Sequence, residues 1–277
     1  MNLNSKRRSI YCVVILVTLL FVRASFISFA SVGSNLDDKR PSVLKERIEF
    51  KVKWSFIPLI HTYMEVYRTT TGDSGSPYRL THQAAMNSFW NDRMESLINP
   101  DSLLPYLMET TIKDGDKRWK EKVVFNRQNQ KATFIHSDRK TGQTIVEQYP
   151  ISPLSMDPLS AFYKLRHRVS PSNPTATFDG LTGSRWFRIE GKLVRTETVD
   201  VPAGSFDTYK IECTLSYWPT KKEAEKELKK QDKDEIKAFT LWVTKDSHRY
   251  PVQIRYRLSV GSLWVRAVSI QDYGLFS

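Results

Sequence analysis

The sequence predicts a mainly β protein in which a large antiparallel sheet curls into a barrel or half-open barrel, with one mid-chain helix packed on it or in it. Apolar and polar residues alternate strictly over residues 209–217 and 252–258, which is the period of a strand with one buried face. Turn-forming residues recur at short intervals, and no strand–helix alternation indicates a parallel sheet. A helix signature of ordinary length stands out at about residues 158–168.

The first predicted strands form a hairpin. Phe50 and Trp54 belong to an apolar set that alternates with charged residues from about residue 46, so we expect both side chains on the buried face. Pro58 interrupts the pattern, and residues 62–67 resume it as the returning strand. Further strands are predicted at residues 107–113, 119–126, 130–136, 144–148, 185–190, 192–200, 236–244 and 263–271.

Three segments depart from the strand rhythm. Asp157 followed by Pro158 is a strong helix start, because an acidic N-cap precedes proline at the first helical position. Residues 86–98 mix apolar residues with Asn and Asp, which favours one or two helical turns. Residues 221–235 hold six lysines and six acidic residues and are predicted to be a charged, solvated insertion in a hairpin.

The N-terminus reads as an export signal. Three basic residues precede an apolar run from Ile10 to Val22, and the small-x-small pattern of residues 28–30 suits signal peptidase. The run is shorter than the roughly 20 residues of a spanning helix, so cleavage is favoured over the alternative, an uncleaved inner-membrane anchor. We therefore predict a signal peptide at 1–30, a flexible leader at 31–45, and a single β-rich domain at 46–277 in the periplasm.

Export changes the cysteine count and the charge. Cys12 leaves with the signal, so Cys213 alone remains and no internal disulfide is predicted. The signal carries four basic residues and no acid, so its removal lowers the net charge from +12 to +8. Outside the cytoplasm such a surface either meets anionic lipid head groups, lipopolysaccharide phosphates or acidic glycans, or reflects solubility and ordinary surface variation alone. No nucleic acid is expected as a partner.

Catalytic patterns are sparse in this chain. The five histidines are isolated from one another, and no metal-binding motif occurs. Cys213 alternates with apolar residues, which favours an inert core thiol. No nucleophile elbow or phosphate-cradling loop is present. The sequence therefore favours a protein without enzymatic activity and predicts no metal and no cofactor.

Aromatic residues are plentiful, with seven Trp and twelve Tyr. One interpretation is that they fill the interior of a barrel that has no disulfide. The other is that they line a site for acyl chains or sugar rings. The candidate lining residues for that site are Phe50, Trp54, Tyr217, Trp242 and Trp264.

Several stretches resemble one exported bacterial family. The most specific is the decapeptide VPAGSFDTYK at residues 201–210. Residues 46–54, 93–96, 157–161, 241–244 and 249–252 add to it in order. Together they make the chain similar to the domain of unknown function 3108 over most of residues 46–270. The resemblance implies a β-barrel-like protein of the Gram-negative envelope and carries no catalytic residues, and the insertion at 221–235 departs from the family pattern.

Three functions remain open on these grounds. The preferred one is a periplasmic, non-enzymatic protein that binds a lipid or glycan during envelope assembly or transport. The second is a structural or adaptor protein that docks on an envelope protein partner through basic strand faces. The third is a hydrolase of cell-wall glycan that uses dispersed carboxylates. The basic residues of the second hypothesis are Arg185, Arg188, Arg195, Arg255 and Arg257.

Overall fold

A computed structural model describes residues 42–55, 57–69, 77–86, 90–115, 117–138, 140–219, 235–258 and 261–274. It contains one antiparallel sheet of fourteen strands. The strands are β1 Ser42–Trp54, β2 Ile57–Thr69, β3 Tyr78–Met86, β4 Trp90–Ile98, β5 Pro105–Asp114, β6 Lys117–Asn126, β7 Lys131–Asp138, β8 Thr144–Pro150, β9 Thr175–Thr182, β10 Arg185–Val201, β11 Gly204–Pro219, β12 Glu235–Thr244, β13 Pro251–Arg257 and β14 Ser262–Asp272. The predicted mainly β fold is confirmed.

The sheet consists of two meanders that meet where the chain's first and last strands pair. Its order runs from β8 down to β1, continues with β14, and descends to β9. Glu46 of β1 pairs with Asp272 of β14, and the Tyr273 amide donates to the Lys45 carbonyl at 2.8 Å. No strand pairing joins β8 to β9 within the described residues, so the sheet curls without closing.

The helix α1, Pro158–Arg168, matches the predicted position. Asp157 caps it with a capping box, accepting a hydrogen bond from the Ser160 amide at 2.8 Å. Its packing partners lie on β3, β4, β9 and β10. Leu159, Ala161 and Leu165 are fully buried, so the helix lies inside the curl of the sheet.

A charged pair fixes the helix to the first strand. The Arg166 guanidinium donates two hydrogen bonds to the Glu46 carboxylate, at 2.9 and 2.7 Å. Both side chains are essentially inaccessible to water, and Arg166 also lies over the Tyr163 ring. A bidentate pair of this kind satisfies both buried charges and sets one orientation of α1.

The segment between β8 and α1 links the two edge regions of the sheet. The Ile151 amide donates to the Gln130 carbonyl at 2.9 Å, next to the start of β7. Five residues later, Met156 forms a parallel bridge with Gly180 of β9. The Arg127 guanidinium donates to the carbonyls of Pro153 and Ser155 at 3.1 Å each. These bonds hold the edges together in place of a direct ladder.

Two ends of the sheet can be distinguished. The helix end carries α1 and the connections around it, including the pair Glu46–Arg166. The opposite end, here called the turn end, carries the β1–β2, β3–β4, β5–β6, β7–β8, β9–β10, β11–β12 and β13–β14 connections. The core face is the face that packs around α1, and the outer face is its reverse.

Two expectations from the sequence are wrong. Residues 90–98 form β4 rather than helical turns, since Trp90, Asp92, Met94, Ser96 and Ile98 alternate onto the core face. The polar residues in that series hide its period of two. The leader predicted for 31–45 overlaps β1, which begins at Ser42. The signal at 1–30 and the insertion at 221–235, except Glu235, lie outside the described residues.

Candidate functional site

The polar cluster

Polar side chains gather on the core face of the first meander, toward the turn end. Register places them in two adjacent cross-strand rows. One row contains Thr62, Ala84, Asp92, Ile112 and Trp119 on β2 to β6. The neighbouring row contains further polar residues of the same face, on β3, β5, β6 and β7. The polar cluster is thus Thr62, His82, Asp92, Thr110, Trp119, Glu121 and His136.

Part of the polar cluster is paired internally. Thr62 Oγ1 lies 2.9 Å from His82 Nε2 and donates to the Gln83 carbonyl. His136 Nδ1 lies 3.2 Å from Glu121 Oε1. These contacts hold the histidines and the Glu121 carboxylate in fixed positions on the sheet.

Three atoms of the polar cluster are buried and have no hydrogen-bond partner among the described residues. They are Asp92 Oδ1, Thr110 Oγ1 and Trp119 Nε1. Asp92 is 3 % exposed and Thr110 is 0 % exposed. Leaving a buried polar atom unpaired costs about 1–3 kcal/mol, so three neighbouring cases mark this region as unusual for a purely structural core.

Burial controls protonation in the polar cluster. Desolvation, reinforced by the nearby Glu121 carboxylate, raises the pKa of Asp92 to about 8. Desolvation lowers the pKa of His82 to about 4. At neutral pH the Asp92 carboxyl is therefore protonated and His82 is uncharged, so Asp92 can both donate and accept a hydrogen bond.

Apolar and aromatic side chains surround the polar cluster. Trp90, Ile112 and Phe134 are buried on the same face. The β9–β10 turn covers part of it, because a Cβ on Gly183 would lie 3.3 Å from Glu121 Oε2 and 3.6 Å from the Phe134 ring. The region therefore combines polar groups with an apolar wall.

Where the predicted residues lie

The predicted lining residues are divided between the two faces. Phe50 is buried on the core face directly opposite Thr62 of the polar cluster. Tyr217 is buried on the core face of β11, opposite Phe187. Trp54 ends β1 at the turn end and packs against the core. These three residues lie on the face and at the end that carry the polar cluster.

The other two tryptophans lie on the outer face. Trp242 and Trp264 stack with ring centroids 6.3 Å apart. Lys210 lies over Trp242 at 5.2 Å, and Arg255 and Arg266 lie over Trp264 at 5.0 and 4.8 Å. These five residues are here called the outer-face strip. The stacked cations shield the rings from water, so both faces of the sheet carry aromatic residues for different reasons.

The predicted basic residues are dispersed. Arg255 belongs to the outer-face strip. Arg188 pairs with Asp179 at 2.6 Å, and Arg195 pairs with Glu197, which also accepts from Trp242 Nε1 at 2.6 Å. Arg185 begins β10 at the turn end, and the exposed Arg257 ends β13 there. Only Arg195 and Arg255 are therefore near the stacked tryptophans.

Neither a metal-ligand set nor a reactive thiol is found in the described part of the chain. No set of three or more His, Cys, Asp and Glu residues there is placed to hold a metal ion. Cys213 is buried, and burial raises the pKa of its thiol, which keeps the sulfur protonated at neutral pH.

Comparison with known proteins

A family model described as "Protein of unknown function (DUF3108)" matches residues 49–268. That match covers well over half of the chain. The chain belongs to this family. No protein with curated information matches it significantly in sequence. The resemblance expected from the decapeptide and the ordered motifs is thereby confirmed.

Solved structures align with most of this chain at low sequence identity. A β-barrel-like protein of the domain of unknown function DUF1849 from Brucella abortus aligns with a TM-score of 0.53 at 9 % identity, over 83 % of this chain and 98 % of that one. A candidate lipoprotein from Parabacteroides distasonis aligns with a TM-score of 0.37 at 9 % identity, over 84 % and 97 %. A candidate exported protein with a YmcC-like fold from Bacteroides fragilis aligns with a TM-score of 0.33 at 10 % identity, over 84 % and 98 %. The first likeness shows the fold of this DUF3108 member.

Sequence reasoning missed the polar cluster. Asp92, Thr110 and Glu121 occupy core positions of strands whose other core residues are mostly apolar. A polar residue at a core position of a strand is the available signal, and it requires the strand register to be known first.

Proposed function

We propose that this DUF3108 protein is an exported, non-enzymatic binding protein of the Gram-negative envelope. In this proposal it holds a lipid or glycan in the turn-end part of its half-barrel during envelope assembly or transport. The export signal at residues 1–30 and the family resemblance motivate the location. Within the described residues, no helix is both long enough and apolar enough to cross a bilayer.

One observation carries the proposal. Three buried polar atoms without a protein partner, in Asp92, Thr110 and Trp119, lie on the core face toward the end remote from α1. Phe50 extends the adjoining face with an aromatic ring. Ligand sites in proteins are mostly apolar with a few placed polar groups, and this arrangement fits a ligand with an apolar body and a polar part.

The test compares two alanine-to-leucine variants on the same strand. Ala84 is 1 % exposed and lies between Thr62 and Asp92 in the cross-strand row, whereas its neighbour Ala85 is exposed on the outer face. We expect wild type and Ala85→Leu, purified from the periplasm without detergent, to carry a bound lipid or glycan in native mass spectrometry. Ala84→Leu should carry at least tenfold less, because the added isobutyl group occupies ligand space.

Folding must be checked in the same samples. Near-ultraviolet circular dichroism of the two variants should match that of the wild type, and a milder Ala84→Val variant replaces Ala84→Leu if that protein does not fold. A wild-type protein that shows no bound molecule, and that takes up none from an envelope lipid and glycan extract, contradicts the proposal.

A second candidate function is an adaptor that docks through the outer face. The outer-face strip supports it, since Arg255 and Arg266 flank Trp264 on the rigid middle of the sheet. Aromatic and arginine residues are enriched at protein interfaces. Under this alternative, Arg255→Gln with Arg266→Gln abolishes cross-linking to one envelope protein, while Arg188→Gln leaves it intact. Unchanged cross-linking in the double variant contradicts the adaptor role.

A further inference from the structure

The chemistry of the polar cluster specifies which ligand group it can receive. This inference rests on the proposed function, since it concerns the polar part of the ligand held in the half-barrel. It follows from three properties of the cluster: the spacing of its unpaired atoms, the balance of donors and acceptors, and the sign of its charges.

The spacing suits a compact group with several polar atoms. Asp92, Ile112 and Trp119 occupy one cross-strand row on three successive strands. Neighbouring strands lie about 4.8 Å apart, so the backbones of Asp92 and Trp119 are separated by about 10 Å. Thr110 lies on the strand between them, one row away. This spacing favours a group that carries several hydroxyls in a small volume, such as a sugar ring or a glycerol unit.

The unpaired atoms require a partner that accepts hydrogen bonds. Trp119 Nε1 can only donate a hydrogen bond, whereas the Thr110 hydroxyl and a protonated Asp92 carboxyl can each do both. An ammonium group only donates, and would leave the Trp119 N–H unpaired. An ionised phosphate or carboxylate could accept from all three groups, so hydrogen bonding alone does not exclude it and the charge of the cluster decides. Hydroxyl groups satisfy all three.

The charges of the cluster oppose an anion. Asp92 and Glu121 are both buried, and the Glu121 carboxylate acts electrostatically on Asp92. The imidazole of His136 lies beside Glu121, and that of His82 is bonded to Thr62. Because Asp92 is protonated, an anionic ligand would bring a second negative charge into this low-dielectric region, where Glu121 would repel it. The basic character of the whole chain therefore does not extend to this part of its interior.

We infer that the polar cluster recognises an uncharged hydroxyl-bearing group, such as the sugar of a glycolipid or the glycerol of a neutral lipid, through Asp92, Thr110 and Trp119. An anionic head group is excluded from the same place. The hydroxyl group accepts from Trp119 Nε1–H and exchanges hydrogen bonds with the Thr110 hydroxyl and the Asp92 carboxyl.

The test uses amphiphiles that share a dodecyl or lauroyl chain and differ in the head. The probes are dodecyl glucoside, glycerol monolaurate, dodecyl phosphate and dodecylamine, each titrated calorimetrically below its micelle concentration at pH 7 into the mature protein. Dodecyl glucoside and glycerol monolaurate separate a sugar from a glycerol source. At least one of these two neutral probes should bind at least tenfold more tightly than either charged probe. That difference corresponds to about 1.4 kcal/mol in binding free energy.

Side-chain variants then locate the head group. Thr110→Val removes one hydroxyl group at nearly constant shape, and Trp119→Phe removes the indole N–H together with one ring. Each should weaken binding of the neutral probe by about tenfold. Thr111→Val is the matched control, because Thr111 is the exposed outer-face neighbour of Thr110 on the same strand. It should bind every probe like the wild type.

The outcomes separate this inference from the proposed function. If all four probes bind equally and Ala84→Leu blocks them, the protein binds apolar chains and the head-group inference is wrong. Preferred binding of dodecyl phosphate or dodecylamine also overturns it. If none of the probes binds and the purified protein carries no ligand, the proposed function itself fails.

Discussion

Burial changes the chemistry of Asp92. Its carboxyl group lies on the core face of β4, and desolvation together with Glu121 raises its pKa to about 8. In the unfolded chain the group returns to an ordinary pKa near 4. Between these two values the unfolded state releases a proton that the folded state retains, so folding stability falls as the pH rises.

The Asp92→Asn variant should remove this dependence. We expect it to match the wild type in urea unfolding at about pH 3, below both pKa values, where both states hold the proton. Toward pH 8 the free energy of unfolding of the variant should increasingly exceed that of the wild type, by at most about 1.4 kcal/mol per pH unit. Asp101→Asn, an exposed loop substitution, is the control and should follow the wild type. A difference between Asp92→Asn and wild type that does not change with pH would contradict the assigned protonation.

The pair Glu46–Arg166 provides the opposite case, a buried charge that is fully matched. Arg166→Met leaves the Glu46 carboxylate buried without its partner, so we expect a loss of about 3–5 kcal/mol in the free energy of unfolding. The double variant Glu46→Met with Arg166→Met should recover most of that loss, because it leaves no unpaired charge. Chemical denaturation of the single and double variants measures both effects.

An exposed pair supplies the comparison for this experiment. Arg188 and Asp179 make a bidentate contact on the outer surface, and Arg188→Met should leave the urea midpoint unchanged because water screens both groups. A single variant at Arg166 as stable as the wild type would mean that the pair does not orient α1.

At the scale of elements, Gly180 shows how β9 depends on the segment before the helix. The Met156 amide donates to the Asp179 carbonyl at 3.0 Å, and the Leu181 amide donates to the Met156 carbonyl at 2.9 Å. A Cβ on Gly180 would lie 1.9 Å from that carbonyl oxygen and 2.6 Å from the Phe187 ring. No flexible side chain can yield at the first of these contacts.

Gly180→Ala should therefore cost about 3 kcal/mol, the upper part of the range for overpacking. Gly142→Ala is the matched control, since a Cβ there meets nothing within 4 Å and only its φ of +70° is unfavourable. That control should cost about 1 kcal/mol. Urea unfolding of both variants gives the comparison, and equal losses would show that the Met156–Gly180 bridge is loose.

Elements with local signals could be predicted from the sequence, whereas others could not. Asp157 and Pro158, two adjacent residues, indicate where α1 begins, so its start was predicted correctly. Strand β10 was predicted as two strands, and β3 and β9 were missed, since their core positions are mixed in polarity. Strand β4 was missed because two of its core positions are occupied by the polar residues Asp92 and Ser96. Asp92 is also the residue that makes this strand part of the candidate site.

The candidate site could be predicted only in part for a related reason. Phe50 and Tyr217 were placed on the buried face correctly by alternation. Trp242 and Trp264 lie on strands that carry apolar residues on both sides. For such strands the sequence does not reveal which side faces α1. The grouping of the three unpaired atoms depends on register across three strands, β4 to β6, which is non-local information.

At the scale of the whole molecule, the two meanders are joined in the middle of the sheet by the first and last strands. β1 pairs with β14 from Glu46 to Trp54, while the connection through α1 joins the two outer edges. The described residues at the two chain ends are adjacent, as the bond from the Tyr273 amide to the Lys45 carbonyl shows. The segment 151–157 then acts as the clasp between the edges.

Circular permutation tests this view. Residues 42–274 joined end to end by a short glycine–serine linker, and opened between Thr141 and Gly142 in the exposed β7–β8 turn, should fold with an unchanged near-ultraviolet spectrum. A second permutant, in which the same joined chain is opened between Leu154 and Ser155, interrupts the clasp. It should lose at least about 3 kcal/mol, since three hydrogen bonds of about 1 kcal/mol each connect that segment to Gln130, Asp179 and Leu181. If the two permutants have equal unfolding midpoints, the edges are held by side-chain packing alone and the clasp is dispensable.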